Sequence, residues 1–159
     1  MKKLKIYLDT SVISHLQHDD APDKMADTLR LWEQIKAGKY DVFISDVAMA
    51  EILRCPEPKR TILGEYLNDI KFDLVETNSN VNEIAQKFVD NNILSDKNLN
   101  DCRHIAAAIA YECDIIVSWN FKHIVNYRTI KGAKIVALMA GYDEIEIYSP
   151  TILIEGGEN

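Results

Sequence analysis

Apolar residues along this chain change their period several times, and the changes mark out alternating strands and helices. Leu4 to Leu8 is a short β-compatible apolar run and predicts the first strand. Val12, Ile13 and Leu16 follow at helical spacing, so a helix should open near Thr10 or Ser11. After the turn Asp19-Asp20-Ala21-Pro22, a helix is predicted from about Asp23 to Ala37. Its stripe of Met25, Leu29, Trp32 and Ile35 reads as core or dimer contact, and Gly38 is a natural stop. Asp41 to Ser45 predicts the second strand. Ser45 or Asp46 then caps a helix carrying Val47, Ala50, Glu51, Ile52 and Leu53, which Pro56 and Pro58 end.

Thr61 to Leu67 is helical again, and Phe72 to Val75 predicts a third strand. Asn80 with Glu83 three residues later has the form of a capping box for a helix from Val81 to about Asn91. Asn91 to Leu99 is polar and reads as a loop. Asn100 or Asp101 opens an alanine-rich helix through Tyr111, a composition that favours helix and permits close packing on a sheet. Asp114 to Ser118 is a near-continuous β-branched run, as in a buried parallel strand. Asn120 to Asn126 predicts a short helix or turn, Lys134 to Leu138 the last core strand, and Ile145 to Ile154 an edge strand or extended arm. This alternation predicts a three-layer α/β/α sandwich with a mostly parallel central sheet. At 159 residues the expectation is one domain over 1–159, with its core at about 4–140 and a C-terminal arm at about 141–159.

Composition changes this picture little. Hydrophobic residues make up 47% and charged residues 27%, so there is material for a core and no sign of disorder. The net charge of −7 argues against broad electrostatic binding of nucleic acid, yet leaves room for a local basic rim or a basic partner. Cys55, Cys102 and Cys113 are widely spaced with no CxxC, which disfavours a zinc site or a disulfide framework. The start Met1-Lys2-Lys3-Leu4-Lys5 is basic, but Asp9 interrupts the apolar run that follows. It is too short for a signal peptide or a membrane span, so the chain reads as cytoplasmic.

The candidate chemistry lies where strands give way to helices. In such sheets ligands sit outside the carboxyl ends of the strands. Asp9 and Asn120 fall just past predicted strand ends, and Glu51 and Asp101 fall in early turns of helices leaving the same edge. Gathered there, they would make an oxygen-only site for Mg²⁺ or Mn²⁺. Each residue also has a plainer role. Asp9 and Asp101 suit N-caps, Asn120 a turn or cap, and Glu51 a solvated helix face. His104 is either a neighbour of the acids or a satisfied structural histidine. Arg54, Arg103 and Lys122 are either phosphate contacts or solvated cations. Trp119 reads first as packing and second as a base-stacking surface. His15, His18 and His123 show no metal-ligand spacing.

In this arrangement the chain resembles the PIN domain, and more narrowly the VapC-type ribonuclease toxins of toxin–antitoxin pairs. Ile-Tyr-Leu-Asp9-Thr10-Ser11-Val-Ile-Ser is similar to the family's first motif, and Phe43-Ile44-Ser45 followed by Ala-Glu51-Ile to its second. Asp101-Cys-Arg-His-Ile-Ala-Ala-Ala-Ile-Ala resembles the third, and Asp114-Ile-Ile-Val-Ser118-Trp119-Asn120 the fourth. The resemblance spans residues 4 to about 140. It implies metal-dependent hydrolysis of RNA phosphodiesters, with Asp9, Glu51 and Asp101 as metal ligands, Asn120 assisting, and Mg²⁺ or Mn²⁺ as cofactor. Thr10 or Ser11 would hold a water or a phosphate oxygen, and Asp96, His104, Arg103 and Lys122 would support ions or substrate. It also implies a homodimer and a cognate antitoxin that inserts a basic side chain among the carboxylates. Asn120 stands where the family often has aspartate, so a second ion should bind more weakly unless Asp96 compensates. Two alternatives stay open: a catalytically weak or inactive PIN-like module binding RNA or protein, and another Mg²⁺-dependent phosphoryl enzyme. Asp9-Thr10-Ser11 lacks the Asp-x-Asp of haloacid-dehalogenase phosphatases, and no acid lies beside Asp9 as in a receiver domain.

Overall fold

β1 (Leu4–Leu8) is the central strand of a five-stranded sheet in which every pairing is parallel. The computed structural model describes residues 2–156; Met1 and residues 157–159 of the expected C-terminal arm lie outside the described residues. β2 (Tyr40–Ser45) flanks β1 on one side, with β3 (Asp73–Val75) beyond it. On the other side lie β4 (Ile115–Val117) and then β5 (Glu146–Tyr148), giving the order β3-β2-β1-β4-β5. Register is set by Ile6 opposite Val42 on one side and Ile115 on the other.

Parallel pairing requires crossovers, and helices supply them on both faces. The helices are α1 (Thr10–Ser14), α2 (Pro22–Lys36), α3 (Asp46–Leu53), α4 (Lys59–Asn68), α5 (Ser79–Asp90), α6 (Leu99–Ala110), α7 (Tyr127–Met139) and α8 (Pro150–Gly156). Side chains alternate along each strand, so the sheet feeds two cores. Ile6, Leu8, Ile115 and Val117 face Leu31, Trp32, Ile52, Leu63 and Leu153 of α2, α3, α4 and α8. Tyr7, Ile116 and Ile147 face Ile84, Phe88, Ile105 and Val136 of α5, α6 and α7. This is the expected three-layer α/β/α sandwich. Leu31 and Ile84 are both buried, so truncating either to alanine would cost about 2–5 kcal/mol.

The strand expected at Lys134 to Leu138 is instead the C-terminal half of α7. The β-prone letters Ile135, Val136 and Leu138 belong to a longer helical pattern. Thr129, Gly132, Ala133, Val136 and Ala137 are buried at helical spacing, while Ile135, Leu138 and Met139 face outward. Asn126 caps this helix by accepting from the Thr129 N–H at 2.9 Å. A Cβ at Gly132 would lie 2.7 Å from the Ile93 side chain, so the smallest residue allows α7 its close approach. The fifth strand lies in the tail, where β5 fulfils the edge-strand expectation. The rest of the tail is α8, with Pro150 at its first position.

Smaller shifts occur elsewhere. The cap of α5 is Asn78, which accepts from Val81 N–H at 3.0 Å, not Asn80. The loop expected over Asn91 to Leu99 contains a 3-10 turn, Asp96–Asn98, that leads straight into α6. Asp101 therefore lies in the first turn of α6 and is not its cap. Trp32 and Ile35 of the α2 stripe are core residues. Among the described residues no helix is long and apolar enough to cross a membrane. Cys55, Cys102 and Cys113 are free thiols, and burial pushes Cys102 and Cys113 up to about 12, which makes both inert.

Candidate functional site

The strand order reverses between β1 and β4, and their carboxyl ends frame the crevice where such sheets bind ligands. Asp9 ends β1 there. Its Oδ1 accepts from Ser11 Oγ at 2.6 Å and from the Val12 N–H at 3.2 Å, so it does cap α1. Its Oδ2 accepts from Ser118 Oγ at 2.5 Å, at the end of β4. Ser11 Oγ in turn accepts from the Trp119 N–H at 2.8 Å, and Ser118 Oγ from the Asn120 N–H at 2.9 Å. One buried carboxylate and two serines thus tie the two strand ends together. Burial nevertheless pushes Asp9 above the usual carboxylate range, against the lowering effects of His104, Ser11, Ser118 and the Val12 N–H.

Glu51 reaches the same edge from the second turn of α3. Its Oε1 accepts from Thr10 Oγ1 at 2.9 Å and lies 2.9 Å from His104 Nε2. Burial raises its carboxyl, but the hydrogen bond and charge of His104, then Thr10 and Arg54, outweigh that and bring it below its ordinary value. His104 is 3% exposed, and its other nitrogen lies 2.6 Å from the Tyr7 hydroxyl. Tyr7, fully buried, contacts Ser45 Oγ at 2.7 Å, and Ser45 Oγ accepts from the Ala48 N–H at the start of α3. A polar chain Ser45–Tyr7–His104–Glu51–Thr10 therefore runs from the core to the crevice. Because Nε2 faces a carboxylate it carries hydrogen. Nδ1 then accepts from Tyr7 in the neutral ring, or donates to it in the imidazolium while Tyr7 donates to Ser45. His104 is both a structural histidine and a direct partner of Glu51. Its link to Tyr7 escaped sequence reasoning, since the two are 97 positions apart.

Asp101 projects from the first turn of α6. Burial raises it; His104 and His123 act to lower it, and Asp9 and Glu51 to raise it. Asp101 thus feels the charge of both other carboxylates. Asn120 completes the crevice, with its Nδ2 3.4 Å from Asp101 Oδ1 and its Oδ1 accepting from the His123 N–H at 3.0 Å. Exchanging the two amide atoms would set NH₂ against an N–H, so the network fixes this orientation. The amide oxygen caps the turn after β4, and the amide nitrogen faces Asp101.

The outlying candidates divide. Thr10 and Ser11 are present at the crevice, but both hydroxyls donate to carboxylates. Arg103 is bound to Asn82 of α5 and to Asn100, and so belongs to the α5–α6 contact. Asp96 is exposed on its 3-10 turn, and the charges acting most on Asp101 do not include it. Lys122 is exposed two residues past Asn120.

A divalent ion suits the donor chemistry of this crevice: all candidate ligands are oxygens, and buried Asp9 and half-buried Asp101 repel each other. Among the described residues no group of three or more His, Cys, Asp or Glu is drawn together closely enough to hold a metal. Mg²⁺ needs no such cage, since it binds through one or two carboxylates and keeps several waters. Asp101, with only a long contact from Asn120, and the second oxygen of Glu51 are the groups best placed to take part.

A family model of the PIN domain matches residues 6–123, which contain Asp9, Glu51, Asp101 and Asn120. The chain belongs to the PIN domain family. Among solved structures, it resembles VapBC2 from Rickettsia felis bound to a DNA fragment from their promoter. The TM-score is 0.55 at 14% identity, over 92% of this chain and 98% of that one. It also resembles VapC20 of Mycobacterium tuberculosis, a sarcin-ricin loop cleaving toxin. There the TM-score is 0.57 at 16% identity, over 89% of this chain and 98% of that one. At these identities the likeness is one of fold. No curated protein sequence matches significantly.

Proposed function

We propose that this PIN domain is a divalent-metal-dependent endoribonuclease, the toxin of a toxin–antitoxin pair acting in the cytoplasm. What supports the reading is that Asp101 feels the charge of Asp9 and Glu51 at the carboxyl edge of the sheet, with both aspartates raised by burial. Burying like charges is unfavourable, and such sites are where function is concentrated. The neighbours support it: VapC20 is a sarcin-ricin loop cleaving toxin, and VapBC2 was solved bound to a DNA fragment from their promoter.

Asp101, Glu51 and Asp9 would hold Mg²⁺ or Mn²⁺. When bound, such an ion acidifies water and neutralises charge developing on a phosphate. The chain's own residues do the rest. Thr10 and His104 fix Oε1 of Glu51 and so set the plane of its carboxylate. Ser11 and Ser118 fix the plane of Asp9. Asn120 orients Asp101 by donating to it. Oriented ligands matter because loss of such supporting partners typically lowers metal affinity or activity about 10–100-fold.

A cognate antitoxin with a basic side chain would suit the same acidic crevice and the net charge of −7. The outward Leu138 and Met139 of α7 offer apolar surface for a homodimer. A second reading, an inactive RNA- or protein-binding module, draws on the Asn120 oxygen being turned to His123 and the Thr10 and Ser11 hydroxyls being engaged. The test is cleavage of a structured RNA pool by purified protein with Mg²⁺ or Mn²⁺ and with EDTA, beside Asp9→Ala. Metal-dependent cleavage that vanishes in the variant supports the nuclease. No cleavage, with no metal binding by calorimetry, selects the inactive module.

A further inference from the structure

Beside the carboxylates lies a small aromatic and cationic surface that the nuclease reading does not use. Phe121, one residue past Asn120, is 47% exposed. The Lys24 ammonium of α2 sits 5.3 Å from its ring centroid and 5.6 Å from that of Trp119. Trp119 is buried beneath them, pinned by its indole N–H to Thr28 Oγ1 at 2.9 Å, and its ring lies 6.2 Å from Phe121 and 5.9 Å from His15. His15 and His18 stack at 4.5 Å with 20° between their planes. His15 is fixed by a 2.7 Å contact from Nδ1 to the Ser11 carbonyl, and Ser11 is the residue that holds Asp9. The surface is therefore anchored to the crevice through two short links.

We propose that Phe121, Lys24, His15 and His18 form a subsite for one unpaired nucleotide of an RNA strand, next to the phosphate that faces the carboxylates. The proposal rests on the ribonuclease reading and names the form of its substrate. The base stacks on the open part of Phe121, whose other side Lys24 covers. The neighbouring phosphate meets the Lys24 ammonium, beside the stacked histidine pair. Single-stranded nucleic acid is gripped by this combination, an aromatic platform beside a cationic track.

Charge favours RNA over a protein occupant. The chain carries −7, and exposed Asp19, Asp20 and Asp23 lie along the same segment, yet the charges that act most on His15 are those of His18, Lys24 and Lys59. A basic segment entering the acidic crevice would be repelled here, whereas a polyanion would be drawn across this rim toward the acids. The rigid mount also matters. Trp119 and Thr28 are buried, so the platform is ordered before substrate arrives and little ordering opposes binding.

The experiment uses short single-stranded oligoribonucleotides carrying 2-aminopurine at successive positions, with the whole purified protein. Binding is read in EDTA as fluorescence quenching, and cleavage of the same strands is read in Mg²⁺ or Mn²⁺. Wild type should quench at one position next to the cleavage point. Phe121→Ala should lose that quench and bind roughly 5- to 150-fold more weakly, while Phe121→Trp keeps both. Lys24→Gln should weaken binding and lower its salt slope by about 1. Unchanged binding and quenching in Phe121→Ala overturns the subsite even if wild type cleaves RNA. So does a wild type that quenches at no position. Loss of antitoxin binding in Phe121→Ala, with RNA binding intact, overturns it in favour of a protein interface. Quenching that depends on Phe121, with no cleavage by wild type, upholds the subsite and defeats the nuclease reading.

Discussion

The two ends of the sheet present opposite solutions to placing charge. At the amino end, a cavity of about 530 Å³ is lined by Lys3, Lys36, Asp41, Asp69, Lys71 and Asp73 around the starts of β2 and β3. Its charges are of both signs, interleaved and exposed, so each is solvated and neighbours attract weakly. The amino-end hollow therefore has ordinary electrostatics. At the carboxyl end, Asp9, Glu51 and Asp101 are of one sign, with Asp9 buried and the other two half-buried. What singles out the carboxyl end is that the fold holds like charges together against their own repulsion, which stability alone would not select.

The most severe test of that contrast is to remove charge at each end. Asp9→Ala should lower RNA cleavage by roughly 10²–10³-fold, the scale of losing one charge contact in a transition state. Lys36→Ala and Asp73→Ala should leave the cleavage rate as it is, with Tm shifts within a degree or two, as for most surface changes. If the amino-end variants lose cleavage and Asp9→Ala does not, the two ends have been assigned the wrong way round.

Next in size is the polar chain that mounts Glu51. Tyr7→Phe removes a fully buried hydroxyl and leaves His104 Nδ1 and Ser45 without their common partner. The expected destabilisation is about 1–3 kcal/mol by urea denaturation. Cleavage should fall about 10–100-fold, because Glu51 would lose its fixed plane. Loss of stability with unchanged kcat/KM would show that the chain serves the core and not the crevice.

This contrast also separates what sequence patterns can show from what they cannot. The strands and caps at the carboxyl end were legible because an acid after a short apolar run is a local signal, as at Asp9. The pairings Tyr7 with His104 and Ser118 with Asp9 join positions 97 and 109 apart, and no local pattern encodes them. Lys134 to Leu138 misled because its β-branched letters were weighed over five residues. Its period became helical only when extended back to Thr129, and burial of Gly132 and Ala133 against Ile93 and the sheet overrode strand propensity. Which atom of Asn120 faces Asp101 depends on the His123 N–H, a feature of backbone geometry that follows only from the fold.

A smaller effect should appear in the pH dependence of stability. Asp9 and Asp101 are raised in the folded protein, so the native state holds their protons more tightly than the unfolded chain does. Their stabilising contribution is full below the unfolded carboxylate value, about 3.9, and is lost as pH rises through their raised folded values. Glu51, lowered overall, acts in the opposite sense: its contribution is present above its unfolded value and lost on acidification. Asp101→Asn should therefore raise Tm at pH 7 by about 2–4 °C while abolishing cleavage. The gain should shrink toward pH 4 in scanning fluorimetry. Equal Tm for both proteins at all pH values would mean that the crevice carries no electrostatic strain.

The finest probe is Asn120→Asp, which alters one atom at the carboxyl end. The new side chain can still cap the turn by accepting from the His123 N–H, so the backbone should hold. Its second oxygen would then face Asp101 Oδ1 where an amide N–H now donates. Without metal, the added like charge should lower Tm by about 1–3 °C at pH 7. With Mg²⁺ or Mn²⁺, the same oxygen becomes a ligand, and affinity by calorimetry should rise up to about 10-fold, reversing the loss of stability. A sign change on adding metal is expected at the carboxyl end because burial keeps Asp9 and Asp101 raised even against the lowering effect of His104. Lys71→Asp at the amino end, which also adds negative charge, should show no such reversal. If Asn120→Asp lowers Tm equally with and without metal, the crevice does not gather cations, and the contrast between the two ends reduces to burial alone.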